Sequence, residues 1–157
     1  MQQDGSFAAK WTLNDIVDSI RFDERSGNLF GAMADVGDIV MFTPSRREVR
    51  TFARIPKSSG FLSGLDLDRE GGVWVAVRDG WSVMRFAPDG SLDKALPLPV
   101  PCPSGIAIGG TDDNTVFVTS ARQPVPLDVL KKAPLSGRVF RISIKETLSG
   151  AHSRMSL

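Results

Sequence analysis

The same string of short apolar runs recurs three times along this chain. Ser19–Asp23, Asn28–Met33 and Asp38–Pro44 make one set. Gly64–Asp68, Gly72–Val77 and Ser82–Pro88 make a second, offset by about 45 residues. A third begins at Pro103–Ile108, continues through Thr115–Thr119 and ends at Gly137–Ile142. A repeat of this length constrains the fold strongly, because one unit hides its apolar face only against a neighbouring unit. The runs are rich in β-branched and aromatic residues, several with period-two alternation, which is the pattern of antiparallel strands. Gly and Asn at Asp23–Asn28, Asp68–Gly72 and Pro88–Gly90 supply tight turns. Fourth runs close the first two copies at Glu48–Ile55 and Ser91–Leu98. Four short strands in about 43 residues make one blade of a β-propeller. The chain is therefore read as all-β, with four-stranded blades at about 15–56, 60–99 and 102–144. One helical turn is expected around Leu127–Lys131, inside a loop.

Three blades are too few to close a ring, since propellers have about four to eight. The third copy also lacks a fourth run after Ile142, whereas Ser6–Leu13 at the other end reads as an unpaired strand. In a twofold dimer, residues 6–13 of each chain would complete the last blade of the partner. That makes a six-bladed ring of two half-propellers, so a homodimer is expected. Composition agrees with a globular chain: 41% of the 157 residues are hydrophobic and 24% charged. The balance of 19 basic against 18 acidic residues, net +1, argues against a nucleic-acid partner or a polybasic membrane anchor. One cysteine excludes an internal disulfide, and one histidine excludes a multi-histidine metal site within a single chain. No apolar run approaches a membrane span and the start, MQQDGSFAAKW, does not read as a signal peptide, so a cytoplasmic location is expected.

The run SGLDLDREGGVWVAVRDGWSVMRFAPDGS, followed by PSGIAIGG, VFVTSAR and APLSGRVFRI, resembles the C-terminal part of the regucalcin (senescence marker protein)–gluconolactonase family. The VTSAR–loop–PLSG spacing is its most specific element. DSIRFDERSGNLFGAMADVGDIVMF is similar both to that family's opening blade and to its fourth. The resemblance implies half of a six-bladed propeller, one divalent cation (calcium or zinc) in the central channel, and hydrolysis of sugar lactones. In the implied mechanism the cation polarises the lactone carbonyl and a carboxylate activates water.

Carried over by position, Asp18 takes the place of the family's Glu or Asn ligand, depending on which blade it matches, and is the expected catalytic and metal-binding carboxylate. Ser63 stands where the family has a ligand Asp, so it is the second expected metal position with a neutral oxygen. If the second copy instead matches the family's second blade, the substrate-binding "R.ND" residues fall at Gly60, Leu62 and Ser63 and are not retained. Ser63, Ser104 and Arg122 are the expected substrate contacts. Asp18 has an alternative reading as a capping residue at the start of a strand, and the serines as turn residues.

Other patterns carry no chemistry. Asp66–Gly71 opens like a calcium loop but has Val77 where the loop needs Glu. Ser91–Lys94 fits Ser-x-x-Lys by chance in an outer hairpin. Cys102, between two prolines, reads as an apolar filler, and His152 as a solvated terminal residue. Trp74, Trp81 and Phe86 suit packing between blades, with Trp81 also placed to line a rim. The insertion Arg122–Leu135 reads as a lid or a subunit contact. The expected function is a small-molecule enzyme resembling metal-dependent lactonases, with an altered site. A non-catalytic binding or scaffolding propeller, or an isomerase or lyase, is the alternative.

Overall fold

The computed structural model describes residues 9, 11–111 and 114–144. Strands β1 (Ser19–Asp23), β2 (Asn28–Met33), β3 (Asp38–Thr43) and β4 (Glu48–Arg54) form one antiparallel sheet in chain order. Strands β5 (Phe61–Leu67), β6 (Val73–Arg78), β7 (Ser82–Phe86) and β8 (Leu92–Pro97) form the second. Strands β9 (Pro103–Gly109), β10 (Thr115–Ser120) and β11 (Val139–Ser143) form the third, with β9 and β11 at its edges. The β10–β11 insertion carries the short helix α1 (Leu127–Lys132), where a helical turn was expected. β4 and β8 are the predicted fourth runs.

The middle sheet has a core on each face. Val73, Val75 and Val77 of β6 face the first sheet, among Phe30, Ile39, Phe52 and Ile55. Trp74 and Ala76 face the third, among Val116, Val118 and Phe140. β6 is therefore an unbroken apolar run rather than an alternating one, as a strand covered on both sides must be. Each of these large side chains stabilises the fold by roughly 1.5–3 kcal/mol through burial. Phe30 and Phe52 add an edge-to-face contact with centroids 5.1 Å apart.

A buried ion network ties the turns of the middle sheet. Asp68 accepts from the backbone N–H groups of Glu70 and Gly72, the Trp74 indole and Arg85 Nε, the last at 2.7 Å. Arg85 is itself buried and also reaches Glu70 and Asp93. Burial pushes the Asp68 carboxyl up, but the hydrogen bonds from Arg85, Trp74 and Gly72 outweigh it and hold the group below its ordinary range. Asp23, its counterpart one repeat earlier, accepts from Arg25 N–H and the Ser26 hydroxyl in the same kind of turn. Gly90 turns the β7–β8 hairpin at φ 86°, and a Cβ there would lie 2.2 Å from the Phe52 carbonyl oxygen, so only glycine fits.

The two outer sheets end differently. The far face of the first is covered by its own chain: Trp11 packs on Phe42 with centroids 5.3 Å apart, and Leu13 and Val17 lie against Met33 and Val40. Residues 6–8 and 10 of the expected closing strand lie outside the described residues, and residues 11–13 form no strand. On the far face of the third sheet Phe117 is 38% and Val139 62% exposed, with no described segment packed over them.

Candidate functional site

β1, β5 and β9 are the strands by which the three sheets meet, and they start at the same end of the molecule. Asp18 stands immediately before β1, Ser63 lies in the first turn of β5 and Ser104 in that of β9. Two hydroxyls lock these strands to one another. The Leu65 N–H donates to Ser19 Oγ at 3.2 Å, and Ser63 Oγ donates to the Ser104 carbonyl at 2.8 Å. Ser104 Oγ and Thr119 Oγ1 share a hydrogen bond of 3.0 Å. Between the serines the backbones nearly touch, since a Cβ on Gly64 would lie 2.6 Å from Gly105 Cα. Three of the expected residues are thus brought to the starts of neighbouring inner strands.

Asp18 extends the β1–β2 ladder through its N–H to the Ala32 carbonyl at 2.9 Å, and it is exposed to solvent. Arg122 is used differently. It leaves the end of β10, its stem lies against Gly137, and its guanidinium donates to the Ser136 carbonyl at 3.4 Å. Arg122 therefore pins the two ends of the β10–β11 insertion together.

The donor set does not fit a resident divalent cation on this chain. Among the described residues no three His, Cys, Asp or Glu side chains stand together. A calcium ion takes about six to eight oxygen ligands, several of them carboxylate. Asp18 would supply one such carboxylate, and Ser63 only a neutral hydroxyl oxygen, which donates its proton to the Ser104 carbonyl.

Two features escaped the sequence reading. Asp66 is only 5% exposed, yet its carboxylate accepts from the Ile108 N–H of the third sheet at 2.7 Å and pairs with Arg21 Nε of the first at 2.8 Å. The signal was present in the repeat, because Arg21 and Asp66 occupy equivalent places in successive copies with opposite charge. The second feature is a cavity of about 520 Å³, lined by Arg78, Asp79, Trp81, Cys102, Val125 and Val129 among others. It lies at the strand-start end, between the β6–β7 turn, the link into β9 and the β10–β11 insertion. Cys102 is buried there, and burial pushes its thiol up.

Comparison with known proteins fits this geometry. The family described as SMP-30/Gluconolactonase/LRE-like region matches residues 45–122, from β4 to the end of the VTSAR motif. Residues 45–122 form an SMP-30/gluconolactonase-like region. The 6-deoxy-6-sulfogluconolactonase of Pseudomonas putida is 38% identical over 96 residues, 61% of this chain and 32% of that protein. The L-arabinolactonase of Azospirillum brasilense is 38% identical over 92 residues, 59% of this chain and 30% of that protein. Regucalcin of Xenopus laevis is 31% identical over 110 residues, 69% of this chain and 37% of that protein. The SMP-30/gluconolactonase-like chain thus spans about a third of the length of the curated relatives it matches. In fold it resembles the calcium-binding protein regucalcin from Agrobacterium tumefaciens, with TM-score 0.71 at 23% identity over 80% of this chain and 45% of that one. Likeness to the β-propeller domain of Myceliophthora thermophila Cps50, TM-score 0.64 at 16% identity over 92% of this chain and 39% of that one, supports the same architecture.

Proposed function

We propose that this chain is half of a lactone-hydrolysing propeller whose reaction takes place where β1, β5 and β9 begin. The observation that carries the reading is the alignment of Asp18, Ser63 and Ser104 at equivalent strand starts, on blades similar to those of lactonases. The Asp18 carboxylate accepts a proton from a water molecule as the water oxygen bonds to the lactone carbonyl carbon. The ring C–O bond then breaks, and the proton returns from Asp18 to the departing ring oxygen, giving a hydroxy acid. Ser104, whose hydroxyl is shared only with Thr119, and Ser63 orient the substrate, and Arg122 acts by holding the insertion in place.

The same reading includes a homodimer that closes six blades around that end, with residues 6–13 of one copy completing the third blade of the other. The bare face of that blade, with Phe117 and Val139 exposed, supports it. A second copy would also bring a second Asp18 to the channel, and calcium or zinc would then have two carboxylates. Among the described residues no helix is long and apolar enough to cross a membrane.

Proton release from gluconolactone or arabinonolactone, measured above the spontaneous rate, tests the reading. Asp18→Asn is expected to lower the enzymatic rate by about 10²–10⁴-fold with the fold intact. An unchanged rate in that variant removes Asp18 from the mechanism. No rate above background in the wild-type dimer, with or without added calcium or zinc, favours the non-catalytic binding propeller. The commitment of the Ser63 hydroxyl to a backbone carbonyl is the observation on that side.

A further inference from the structure

The cavity beside the serine line brings an arginine, a carboxylate and an indole together. Arg78 ends β6, and its guanidinium lies over the ring of Phe61, its cross-strand partner, 5.3 Å from the centroid. Among the described residues it makes no ion pair, whereas Arg21, Arg25, Arg54 and Arg85 each pair with a carboxylate. The Asp79 side chain likewise makes no hydrogen bond among the described residues, although its backbone N–H is fixed to the Pro101 carbonyl at 2.7 Å. Trp81 is 37% exposed on the same wall, and Val125 and Val129 of the insertion close the other side. An unpaired cation, an unpaired carboxylate and an exposed indole in one cavity are complementary to a ligand that is anionic, hydroxylated and apolar on one face.

The backbone at this point is also out of the ordinary. Asp79 and Trp81 have φ of 62° and 51°, the left-handed region that non-glycine residues rarely adopt, and both line this cavity. Such strain costs about 1–3 kcal/mol per residue and persists where surrounding contacts over-determine it. Here the hydrogen bond from Leu98 N–H to the Trp81 carbonyl, 2.6 Å, and that from Asp79 N–H to Pro101 do so. Glycine at position 81 would relieve the turn but would leave no indole.

We propose that this cavity binds the polyhydroxylated carboxylate class of ligand, the hydroxy-acid form of a sugar lactone. Arg78 pairs with the carboxylate, Asp79 accepts the ligand's hydroxyls, and the Trp81 indole covers its C–H face. The proposal rests on the lactone reading for its ligand class and assigns Arg78, Asp79 and Trp81 a role in specificity. Charge-assisted bonds of the guanidinium–carboxylate kind set the preference for acid over neutral polyol.

Gluconate and sorbitol, which share a carbon chain and differ in the carboxylate, are the probes, titrated into the full chain by calorimetry and by tryptophan fluorescence. Gluconate is expected to bind saturably, and sorbitol at least about tenfold more weakly. Arg78→Gln should reduce gluconate to the sorbitol level, while Arg78→Lys, which keeps the charge and the strand, retains part of the difference. Trp81→Phe should abolish the fluorescence response and keep the heat. Equal affinity for the two probes, gluconate affinity unchanged in Arg78→Gln, or no gluconate heat overturns the proposal. None of these readouts needs turnover. A protein that binds gluconate through Arg78 but hydrolyses no lactone therefore keeps the site and loses the hydrolase reading. An active hydrolase with unchanged KM in Arg78→Gln does the reverse.

Discussion

The two outer sheets of this chain solve the same problem in opposite ways. Each outer sheet has one face that the middle sheet covers and one that points along the ring. On the first sheet the outward face carries Val40, Phe42 and Met33, and the chain folds Trp11, Leu13 and Val17 back over it. On the third, Phe117 and Val139 stand in solvent with no described segment above them. A bare apolar sheet face next to an unpaired edge strand invites association, whereas a covered one resists it. The sealed end thus opposes the ring closure that the open end favours: closing six blades with a second copy requires Trp11 to leave Phe42. The difference makes residues 11–17 the segment that the proposed assembly would have to displace.

The largest effect is expected midway between the ends. Arg85→Ala strips Asp68 of its buried partner and should cost about 3–5 kcal/mol in urea unfolding. Because β6 carries both cores, the first and third sheets should lose hydrogen-exchange protection together; loss confined to one of them would show that the ends are independent. Next comes Trp11→Ala, expected to cost about 2–3 kcal/mol. Trp11→Phe should cost less than half as much, since the indole N–H is buried without a partner. At the open end Phe117→Ser should change monomer stability by no more than about 0.5 kcal/mol while weakening self-association in sedimentation. Equal costs for Trp11→Ala and Phe117→Ser in a dilute monomer would erase the distinction between the ends.

The smallest effect is acid sensitivity. Hydrogen bonds from Arg54 hold the Asp38 carboxyl of the first sheet below its ordinary range, and Asp68 of the second lies low for the reasons given above. Both groups titrate lower in the folded chain, so the unfolded chain binds the extra protons. Their contribution is complete above the ordinary carboxylate range and drains away as pH falls below about 4. No described residue of β9–β11 has such a depressed carboxyl, so amide exchange on acidification should rise first in the first two sheets. A third sheet that opens first would reverse this ordering.

Most of the fold was legible because blades are built from local patterns. Turn residues and period-two runs located the strands, while the unbroken VWVAV run of β6 is explained by the cores that the structure places on its two faces. The site was legible only as positions. Repeat register brought Asp18, Ser63 and Ser104 into correspondence, but no local pattern could show that Ser63 spends its proton on Ser104. Arg122 looked like a substrate contact from its motif, and the structure turns its guanidinium to the Ser136 carbonyl. The Arg78 cavity was hidden for a different reason. It is made by a turn, an interstrand link and an insertion that lie far apart in the chain, and its left-handed φ values fall on Asp and Trp, which carry no glycine-like signature.

Asp66 has a consequence for how such chains change length. In a linear array of units, stability is a sum of unit and nearest-neighbour contributions, and a unit may be gained or lost without disturbing the rest. A carboxylate that holds Arg21 on one side and the Ile108 N–H on the other turns two junctions into a single three-body contact. Removing either flanking blade takes one partner from this carboxylate and opens it to water. The three sheets are therefore coupled through one carboxylate, and exchange of a single blade has to supply Asp66 with a replacement partner.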